Sequence, residues 1–242
     1  MTDLSHANSE REYRDFLDQY YASLYADGSD NNRNHHCTTA IIEYLEQAPG
    51  PSSPLTCMDI GFGRGSLLKY FVSRGWRATG VEIARTEYQT CLEGLPGLDL
   101  FFGGYLDFAT DDTFDLVVDN GTFHHQHPDD QTAYLRRVAD QLAVGGRFLL
   151  STYHAGDTKA EITDVIEDGR FRTCFNTAML NALFKKKSPR LQVQRYIPIL
   201  REGRDLDCAL FVVSQDGQQS SVNRGSKGGL DGWFCTYFNV KQ

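Results

Sequence analysis

The chain has 242 residues, of which 40% are hydrophobic and 23% are charged. This composition excludes disordered, collagen-like and coiled-coil chains, and the length favours one decorated domain. The formal net charge of −8 disfavours nucleic acid as a partner, because phosphate binding needs clustered positive charge. No stretch reaches the ~18 apolar residues of a membrane span and the first residues are polar, so we expect no membrane association, no leader and a cytoplasmic location.

The first 54 residues form a predicted N-terminal helical cap. Aromatic residues at helical spacing predict a helix over Glu10–Tyr25. A second helix is predicted over Thr38–Ala48, because the proline and glycine residues that follow cannot continue it. The face with Tyr20, Tyr21 and Tyr25 either docks on the core or forms a substrate cage. His35 and His36 either lie in a surface loop or belong to a lid.

From residue 55 onward, short apolar runs alternate with amphipathic segments, which predicts a parallel sheet with crossover helices. The predicted strands are Thr56–Ile60, Ala78–Ile83, Leu98–Phe102, Phe114–Asp119 and Arg147–Thr152, and the helices between them are Ser66–Arg74, Thr86–Leu92 and Gln131–Leu142.

A variable stretch then covers residues 154–171 and is followed by a predicted helix over Thr177–Lys185. Two further runs, Leu191–Ile199 and Asp207–Val213, are joined by a link too short for a parallel connection, so we expect an antiparallel pair. We assign residues 55–214 to the main domain. Residues 215–242 are predicted to be a C-terminal extension that packs on it, where Trp233 and Phe234 either close a pocket or dock on the core.

A glycine-rich turn follows the first predicted strand, in the sequence Asp59-Ile60-Gly61-Phe62-Gly63-Arg64-Gly65. Glycines at alternate positions allow a tight turn and let the backbone approach a ligand beside a helix N-terminus. Glu82 lies near the end of the next strand, where a carboxylate can accept hydrogen bonds from ribose hydroxyls. These features indicate an adenosine site. Position 66 is serine, which departs from the dinucleotide pattern G-x-G-x-x-G and disfavours a nicotinamide cofactor.

Residues 55–83 resemble motif I and its sequel in class I S-adenosylmethionine-dependent methyltransferases. The resemblance extends through the strand 114–119 to Gly145-Gly146 and covers about residues 55–214. It implies an α/β, Rossmann-like fold with a seven-stranded, mostly parallel sheet, an antiparallel last strand and helices on both faces.

The same resemblance implies that S-adenosyl-L-methionine is the cofactor. Asp59, Gly61, Gly63 and Gly65 would face its methionine part and Glu82 would hold its ribose. The adenine contact would come from the backbone or from Tyr105, because the acidic residue that many members have there is missing. Asp119 and Asn120 would border the cofactor.

The residues that follow the fourth strand are the candidates for chemistry, because ligands bind at the carboxyl edge of open α/β sheets. The segment from Asp119 to His125 resembles a D-x-G-x-x-H-H variant of small-molecule methyltransferases. His125 is the candidate base or polar wall, and His124 packs near the cofactor; alternatively, both histidines only support the loop. Together with His127 they lack the spacing of a metal site, so we expect no metal.

The favoured function is therefore S-adenosylmethionine-dependent methyl transfer to a small-molecule acceptor by in-line displacement. Positioning of the reactants supplies most of the catalysis in such a reaction. The alternative is a non-catalytic module that binds the same cofactor as a regulatory or partner subunit. A nicotinamide-dependent oxidoreductase is a third, less favoured hypothesis. The acceptor atom cannot be read from the sequence, because the fold does not define it.

Overall fold

A computed structural model describes residues 10–26, 35–47, 53–156, 162–165, 169–200 and 207–215. Its centre is a seven-stranded sheet with the strand order β3-β2-β1-β4-β5-β9-β8. The strands of this sheet are β1 (Thr56–Ile60), β2 (Arg77–Glu82), β3 (Asp99–Phe102), β4 (Phe114–Asn120), β5 (Leu142–Tyr153), β8 (Leu191–Ile199) and β9 (Cys208–Gln215).

Six helices accompany the sheet in the described part of the chain. They are α1 (Glu10–Ala26), α2 (His35–Glu46), α3 (Ser66–Ser73), α4 (Arg85–Gly94), α5 (Gln131–Gln141) and α6 (Thr177–Lys187). None of these helices is long and apolar enough to cross a bilayer.

The strands β1 to β5 are parallel, and β9 runs antiparallel between β5 and β8. Parallel strands bury both faces, which explains why β1, β4 and β5 are nearly continuous apolar runs. One core cluster contains Ile41 of α2 and Phe71 of α3, and the other contains Val138 of α5 and Phe184 of α6. The helices therefore cover both faces of the sheet.

The predicted α/β fold is confirmed, including the antiparallel last strand. The predicted antiparallel pair of terminal runs corresponds to β8 and β9, with Ile199 opposite Cys208. The variable stretch 154–171 contains structure that the sequence did not predict, because β6 (Ile162–Val165) pairs with β7 (Phe171–Cys174) in a separate two-stranded sheet. Each of these strands has only four residues, which is too short to give a period-2 signal.

The domain boundaries at residues 54 and 214 remain predictions. Residues 216–242, with Trp233 and Phe234, lie outside the described residues, as does the link 201–206 between β8 and β9.

Candidate functional site

The main pocket lies at the carboxyl edge of the parallel strands and encloses about 790 Å³, part of it open to solvent. The loops that follow β1, β2 and β3 form its floor. Helix α1 and the turn after β4 form its wall. The lining residues are Ile60, Gly61, Gly63, Val81, Glu82, Ile83, Gly103, Gly104, Tyr105, Leu106, Asn120, Gly121, Thr122, His125 and Gln126, with Arg14, Leu17 and Tyr21 from α1. A pocket of this size at this edge is the usual ligand site of an open α/β sheet.

The glycine turn after β1 has the backbone that the sequence pattern requires. Gly61, Gly63 and Gly65 have φ values of +69°, +51° and +70°, a region that side chains disfavour. A Cβ atom at Gly61 would lie 2.2 Å from Oγ1 of Thr122. Gly61 is therefore required both by its backbone conformation and by the close approach of the turn after β4.

Gly65 differs from the other two glycines. It precedes α3, and a Cβ atom there would lie 2.7 Å from Sγ of Cys91. Gly65 is not among the residues that line the pocket. Its lack of a side chain allows α4 to pack against the start of α3, and its place beside the cofactor stays a prediction.

Glu82 connects the end of β2 to the glycine turn. Its Oε2 atom accepts a hydrogen bond from the backbone N–H of Gly63 at 2.7 Å, and its Oε1 atom accepts one from Ala84 at 2.8 Å. Burial raises the pKa of Glu82 to about 7, and the backbone hydrogen bonds oppose that rise. The carboxylate lines the pocket, where its remaining lone pairs can accept from ligand hydroxyls.

Asp59 lies on β1, one residue before the pocket floor, and is 1% exposed. Neither of its carboxylate oxygens has a hydrogen-bond partner among the described residues. Burial and then the nearby charges of Glu82 and Asp119 raise the pKa of Asp59 well above its usual range. An unsatisfied buried carboxyl group is costly, so this position suits a ligand or water that brings hydrogen-bond donors and positive charge.

Asp119 supports the turn after β4 and is not itself part of the pocket lining. Its Oδ1 atom accepts from the backbone N–H of Thr122 at 2.7 Å, and its Oδ2 atom accepts from the hydroxyl of Tyr134. Both oxygens thus fix the turn, and a contact between Asp119 and the cofactor stays a prediction. Asn120 does line the pocket, and its amide donates to Oγ1 of Thr38 in α2 at 2.9 Å.

The two candidate catalytic histidines lie in a 3-10 turn over Phe123–His125, and both are 4% exposed. His125 lines the pocket. His124 does not; its ring packs 4.2 Å from that of His125 and 4.3 Å from that of Tyr153, centroid to centroid. Neighbouring side chains on such a turn point in different directions. His124 thus packs against His125 and Tyr153, and a catalytic role for it stays a prediction.

Both ring nitrogens of His125 have partners. Nδ1 lies 2.6 Å from the carbonyl oxygen of Phe171, so it carries the proton and donates. Nε2 lies 3.2 Å from Nη1 of Arg170 and therefore accepts. The sequence did not indicate Arg170, which is 6% exposed, follows β6 along the chain and reaches His125 only through the tertiary fold.

Tyr105 borders the pocket, but its hydroxyl is used in the core, where it donates to Oε1 of Gln141 at 2.6 Å. Its ring packs 4.7 Å from that of Tyr134. Because its hydroxyl is engaged with Gln141, Tyr105 would contact the adenine through its backbone or the edge of its ring.

Helix α1 supplies a wall that the sequence suggested only through its aromatic face. Leu17 and Tyr21 line the pocket, and Arg14, which also lines it, forms an ion pair with Asp107 at 2.8 Å. The hydroxyl of Tyr13 donates to the carbonyl of His125 at 2.7 Å and accepts from the backbone N–H of Phe171 at 2.8 Å. These contacts fix α1 over the site.

Several other candidates are not part of this pocket. His35 and His36 are exposed at the start of α2 and do not line it. The side chain of Tyr25 lies outside the described residues. Within the described ranges, no three His, Cys, Asp or Glu side chains are grouped as metal ligands.

Comparison with known proteins gives a family and several relatives. A family model for a methyltransferase domain matches residues 31–187. An uncharacterized methyltransferase of Staphylococcus carnosus is 22% identical over 126 residues, which are 51% of this chain and 60% of that protein. The cyclopropane-fatty-acyl-phospholipid synthase of Escherichia coli is 31% identical over 125 residues, which are 50% of this chain and 31% of the synthase. The chain thus matches less than two thirds of the length of these curated relatives.

Among solved structures, the Burkholderia thailandensis 1,6-didemethyltoxoflavin-N1-methyltransferase, with bound 1,6-didemethyltoxoflavin and S-adenosylhomocysteine, aligns with a TM-score of 0.72 and 23% identity. The alignment covers 86% of this chain and 90% of that one. This likeness concerns the fold. The family model covers more than half of the chain, and the chain therefore belongs to the methyltransferase domain family.

Proposed function

We propose that the chain transfers the methyl group of S-adenosylmethionine to a small-molecule acceptor. The observation that carries this proposal is the convergence of an open glycine turn and the carboxylate of Glu82 at one pocket edge, with the unsatisfied carboxyl of Asp59 buried one residue before the lining residue Ile60. When bound, S-adenosylmethionine supplies a methyl carbon activated by a sulfonium sulfur. The chain's own task is then to align the acceptor and exclude water, which can supply about 7–11 kcal/mol of barrier reduction.

The cofactor-binding residues in this proposal come from the loops after β1, β2 and β3. Glu82 accepts from the ribose hydroxyls, and the backbone of Gly61 and Gly63 adjoins the methionine part. Asp59 stabilises the ammonium group of that part directly or through a water, because its buried oxygens lack other partners in the described structure. The adenine contacts the backbone near Tyr105 in this proposal.

The acceptor end of the pocket is formed by α1 and by the turn after β4. Leu17 and Tyr21 offer apolar and aromatic surface, and His125 and Gln126 add polar groups. The pocket is bordered both by the cofactor residues and by α1, which favours a small acceptor held beside the cofactor. The acceptor of the Burkholderia relative is itself small, which supports the same reading.

The two other functions considered from the sequence are less well supported. A nicotinamide-dependent oxidoreductase does not agree with membership of the methyltransferase domain family. A non-catalytic cofactor-binding module would not need an acceptor wall, whereas α1 and His125 form one beside the cofactor residues.

Calorimetric titration with three ligands tests the cofactor assignment. We expect S-adenosylhomocysteine to bind with micromolar or tighter affinity and NADH not to bind. The third ligand, 5′-methylthioadenosine, has the ribose and adenine but lacks the ammonium and carboxylate groups. Asp59→Asn should weaken S-adenosylhomocysteine about 10-fold or more and leave 5′-methylthioadenosine unchanged, whereas Glu82→Gln should weaken both.

Asp99→Asn is the matched control, because Asp99 is an exposed carboxylate at the opposite, amino-terminal end of β3. Equal binding of NADH and S-adenosylhomocysteine would contradict the proposal. Release of S-adenosylhomocysteine from S-adenosylmethionine, measured with a panel of small heteroaromatic acceptors that includes 1,6-didemethyltoxoflavin, tests the acceptor class. Transfer to a protein or RNA instead of any panel member would overturn the small-molecule part.

A further inference from the structure

A buried guanidinium group lies directly behind the acceptor end of the pocket. Arg170 is 6% exposed, and its Nη1 atom donates to the hydroxyl of Tyr21 at 3.3 Å and to Nε2 of His125 at 3.2 Å. Its guanidinium carbon lies 4.5 Å from the centre of the Tyr20 ring, a cation–π distance. Two of its partners, Tyr21 and His125, line the pocket.

These contacts determine what the acceptor end can do with a proton. His125 uses Nδ1 to donate to Phe171 and Nε2 to accept from Arg170, so its lone pair is already engaged. The carboxylate oxygens of Glu82 accept from Gly63 and Ala84. A positive charge therefore lies behind the hydroxyl of Tyr21 and the ring of His125, and the free lone pair of the His125 ring is occupied by a protein hydrogen bond.

A cation beside a bound acid favours the ionised form of that acid, and the effect is larger in a buried site than in water. Arg170 also donates to the oxygen of Tyr21, which makes the Tyr21 hydroxyl a stronger hydrogen-bond donor. The aromatic and aliphatic surfaces of Tyr21 and Leu17 suit a flat ring.

We propose that the acceptor is a planar phenol or heteroaromatic compound with an acidic O–H or N–H, bound as its conjugate base against Tyr21 and Arg170. This inference rests on the proposed methyl-transfer function. The acceptor loses its proton to solvent on binding. Its lone pair then forms the bond to the methyl carbon, the carbon–sulfur bond breaks, and that electron pair remains on sulfur, so anion and sulfonium cation become two neutral products.

Among the described residues, the charged and titratable groups that border the acceptor end include Arg170, Tyr20, Tyr21 and His125, with Arg14 and its partner Asp107 beside them and Glu82 on the cofactor side. The charge of Glu82 acts on Tyr21 and opposes the effect of Arg170. Glu82 is held by two backbone N–H groups of the cofactor loops, whereas Arg170 is in direct hydrogen-bond contact with the acceptor wall. Arg170 has the larger effect on Tyr21 and is bonded to it directly, so we expect the acceptor wall to favour an anion.

The test uses two acids whose ionisation is visible in their spectra, 4-nitrophenol by absorbance and 7-hydroxycoumarin by fluorescence excitation. Each is titrated with the full-length protein saturated with S-adenosylhomocysteine, over a range of pH. We expect saturable binding, with the ionisation midpoint of the bound probe lowered by about one to two pH units. Arg170→Met should abolish this lowering, Arg170→Lys should retain part of it, and Tyr21→Phe should reduce it.

Arg190→Met is the matched control, because Arg190 is an exposed arginine that pairs with Asp140 on the protein surface. The neutral analogue 4-nitroaniline should bind equally to the wild type and to Arg170→Met. The affinity for S-adenosylhomocysteine, measured for every variant, shows that the variant is folded. If Arg170→Met does not fold, Arg170→Lys and Tyr21→Phe carry the test.

The outcomes separate this inference from the function on which it rests. Failure of S-adenosylhomocysteine to bind the wild type would overturn the proposed function. Normal binding of S-adenosylhomocysteine, combined with neutral bound probes, no binding of either probe, or an unchanged midpoint in the Arg170 and Tyr21 variants, would overturn the anionic acceptor alone.

Discussion

The guanidinium of Arg170 lies 3.2 Å from Nε2 of His125, so the histidine that borders the pocket accepts a hydrogen bond from a buried cation. Nδ1 of the same ring donates to the carbonyl of Phe171. A general base needs a lone pair directed at the proton that it removes. His125 is therefore proposed as a positioning residue that holds the acceptor wall in place.

His125→Ala tests this assignment. Loss of a general base costs about 10²- to 10⁴-fold in rate, whereas we expect kcat to fall less than about 10-fold with the best acceptor of the panel. The pH profile of kcat should keep its midpoint. Because the variant leaves the Phe171 carbonyl and Arg170 without this partner, the free energy of unfolding should fall by about 1–3 kcal/mol.

The control for His125→Ala is His36→Ala, which removes an exposed histidine on α2. Denaturant unfolding and steady-state kinetics are measured on both. A loss of 100-fold or more in kcat, with unchanged unfolding, would establish His125 as the base.

Gly61→Ala should abolish cofactor binding because the new Cβ atom would lie 2.2 Å from Oγ1 of Thr122. Gly75→Ala is the matched control: Gly75 has φ +73°, close to the +69° of Gly61, and has nothing within 4 Å of its Cβ position. Gly75→Ala should cost about 1–2 kcal/mol of stability from backbone strain alone and leave S-adenosylhomocysteine affinity unchanged.

Adding Thr122→Ala to Gly61→Ala removes the clashing hydroxyl and should restore part of the affinity. Calorimetry and thermal unfolding measure both effects. Equal affinities for Gly61→Ala and the wild type would show that the glycine turn does not hold the cofactor.

Glu82 gives the cofactor affinity a defined pH dependence. Burial raises its pKa from 4.5 to about 7, so the carboxylate that accepts from ribose hydroxyls forms only as the pH rises through about 7. The affinity for 5′-methylthioadenosine should therefore increase between about pH 6 and pH 8. In Glu82→Gln the affinity should be lower and nearly independent of pH. A wild-type affinity that falls over this range would contradict the assignment.

The same carboxyl group affects the stability of the ligand-free protein in the opposite direction. Its pKa is higher in the folded than in the unfolded chain, so the folded state binds the additional proton. The contribution of Glu82 to the free energy of unfolding is thus fully present below about pH 4.5 and is lost as the pH rises through about 7. Denaturant unfolding of the wild type and of Glu82→Gln, compared at about pH 4.5 and about pH 8, measures the difference.

Asp59 and Asp115 form a contrasting pair for stability. Asp59 has no hydrogen-bond partner among the described residues, whereas Oδ2 of Asp115 accepts from both the backbone N–H and the hydroxyl of Thr56 at 2.9 Å. Asp59→Ala should raise the free energy of unfolding by about 1 kcal/mol, since it removes an unsatisfied buried carboxyl group. Asp115→Ala should lower it by about 1–3 kcal/mol. Destabilisation of similar size in both variants would indicate that Asp59 has a structural partner.

The elements that the sequence predicted are those with strong local signals. The strands β1 and β4 are largely apolar runs, each followed directly by a glycine, and Gly61, Gly63 and Glu82 line the pocket. The roles of Asp119 and His124 could not be predicted, because each depends on whether its side chain faces the pocket or a tyrosine in the core.

The acceptor end depends on contacts between distant parts of the chain. Tyr21 and Arg170 are 149 residues apart and meet only because α1 and β7 pack at the same edge of the sheet. A single arginine after a variable stretch has no pattern of its own. The glycine pattern of the sequence therefore indicated the cofactor end of the pocket, whereas no pattern indicated the buried cation Arg170.

The Tyr13 hydroxyl joins α1 to the His125 carbonyl and to β7. The two parts of the pocket that meet at this contact differ in whether the family shares them. The cofactor loops lie within residues 31–187, the part shared with the methyltransferase domain family, whereas α1 lies before it. If α1 were exchanged for another helix, one part of the proposed acceptor wall would change while Gly61, Gly63 and Glu82 stayed in place. The acceptor wall could then diverge through a segment outside the shared domain, without a change in the sheet.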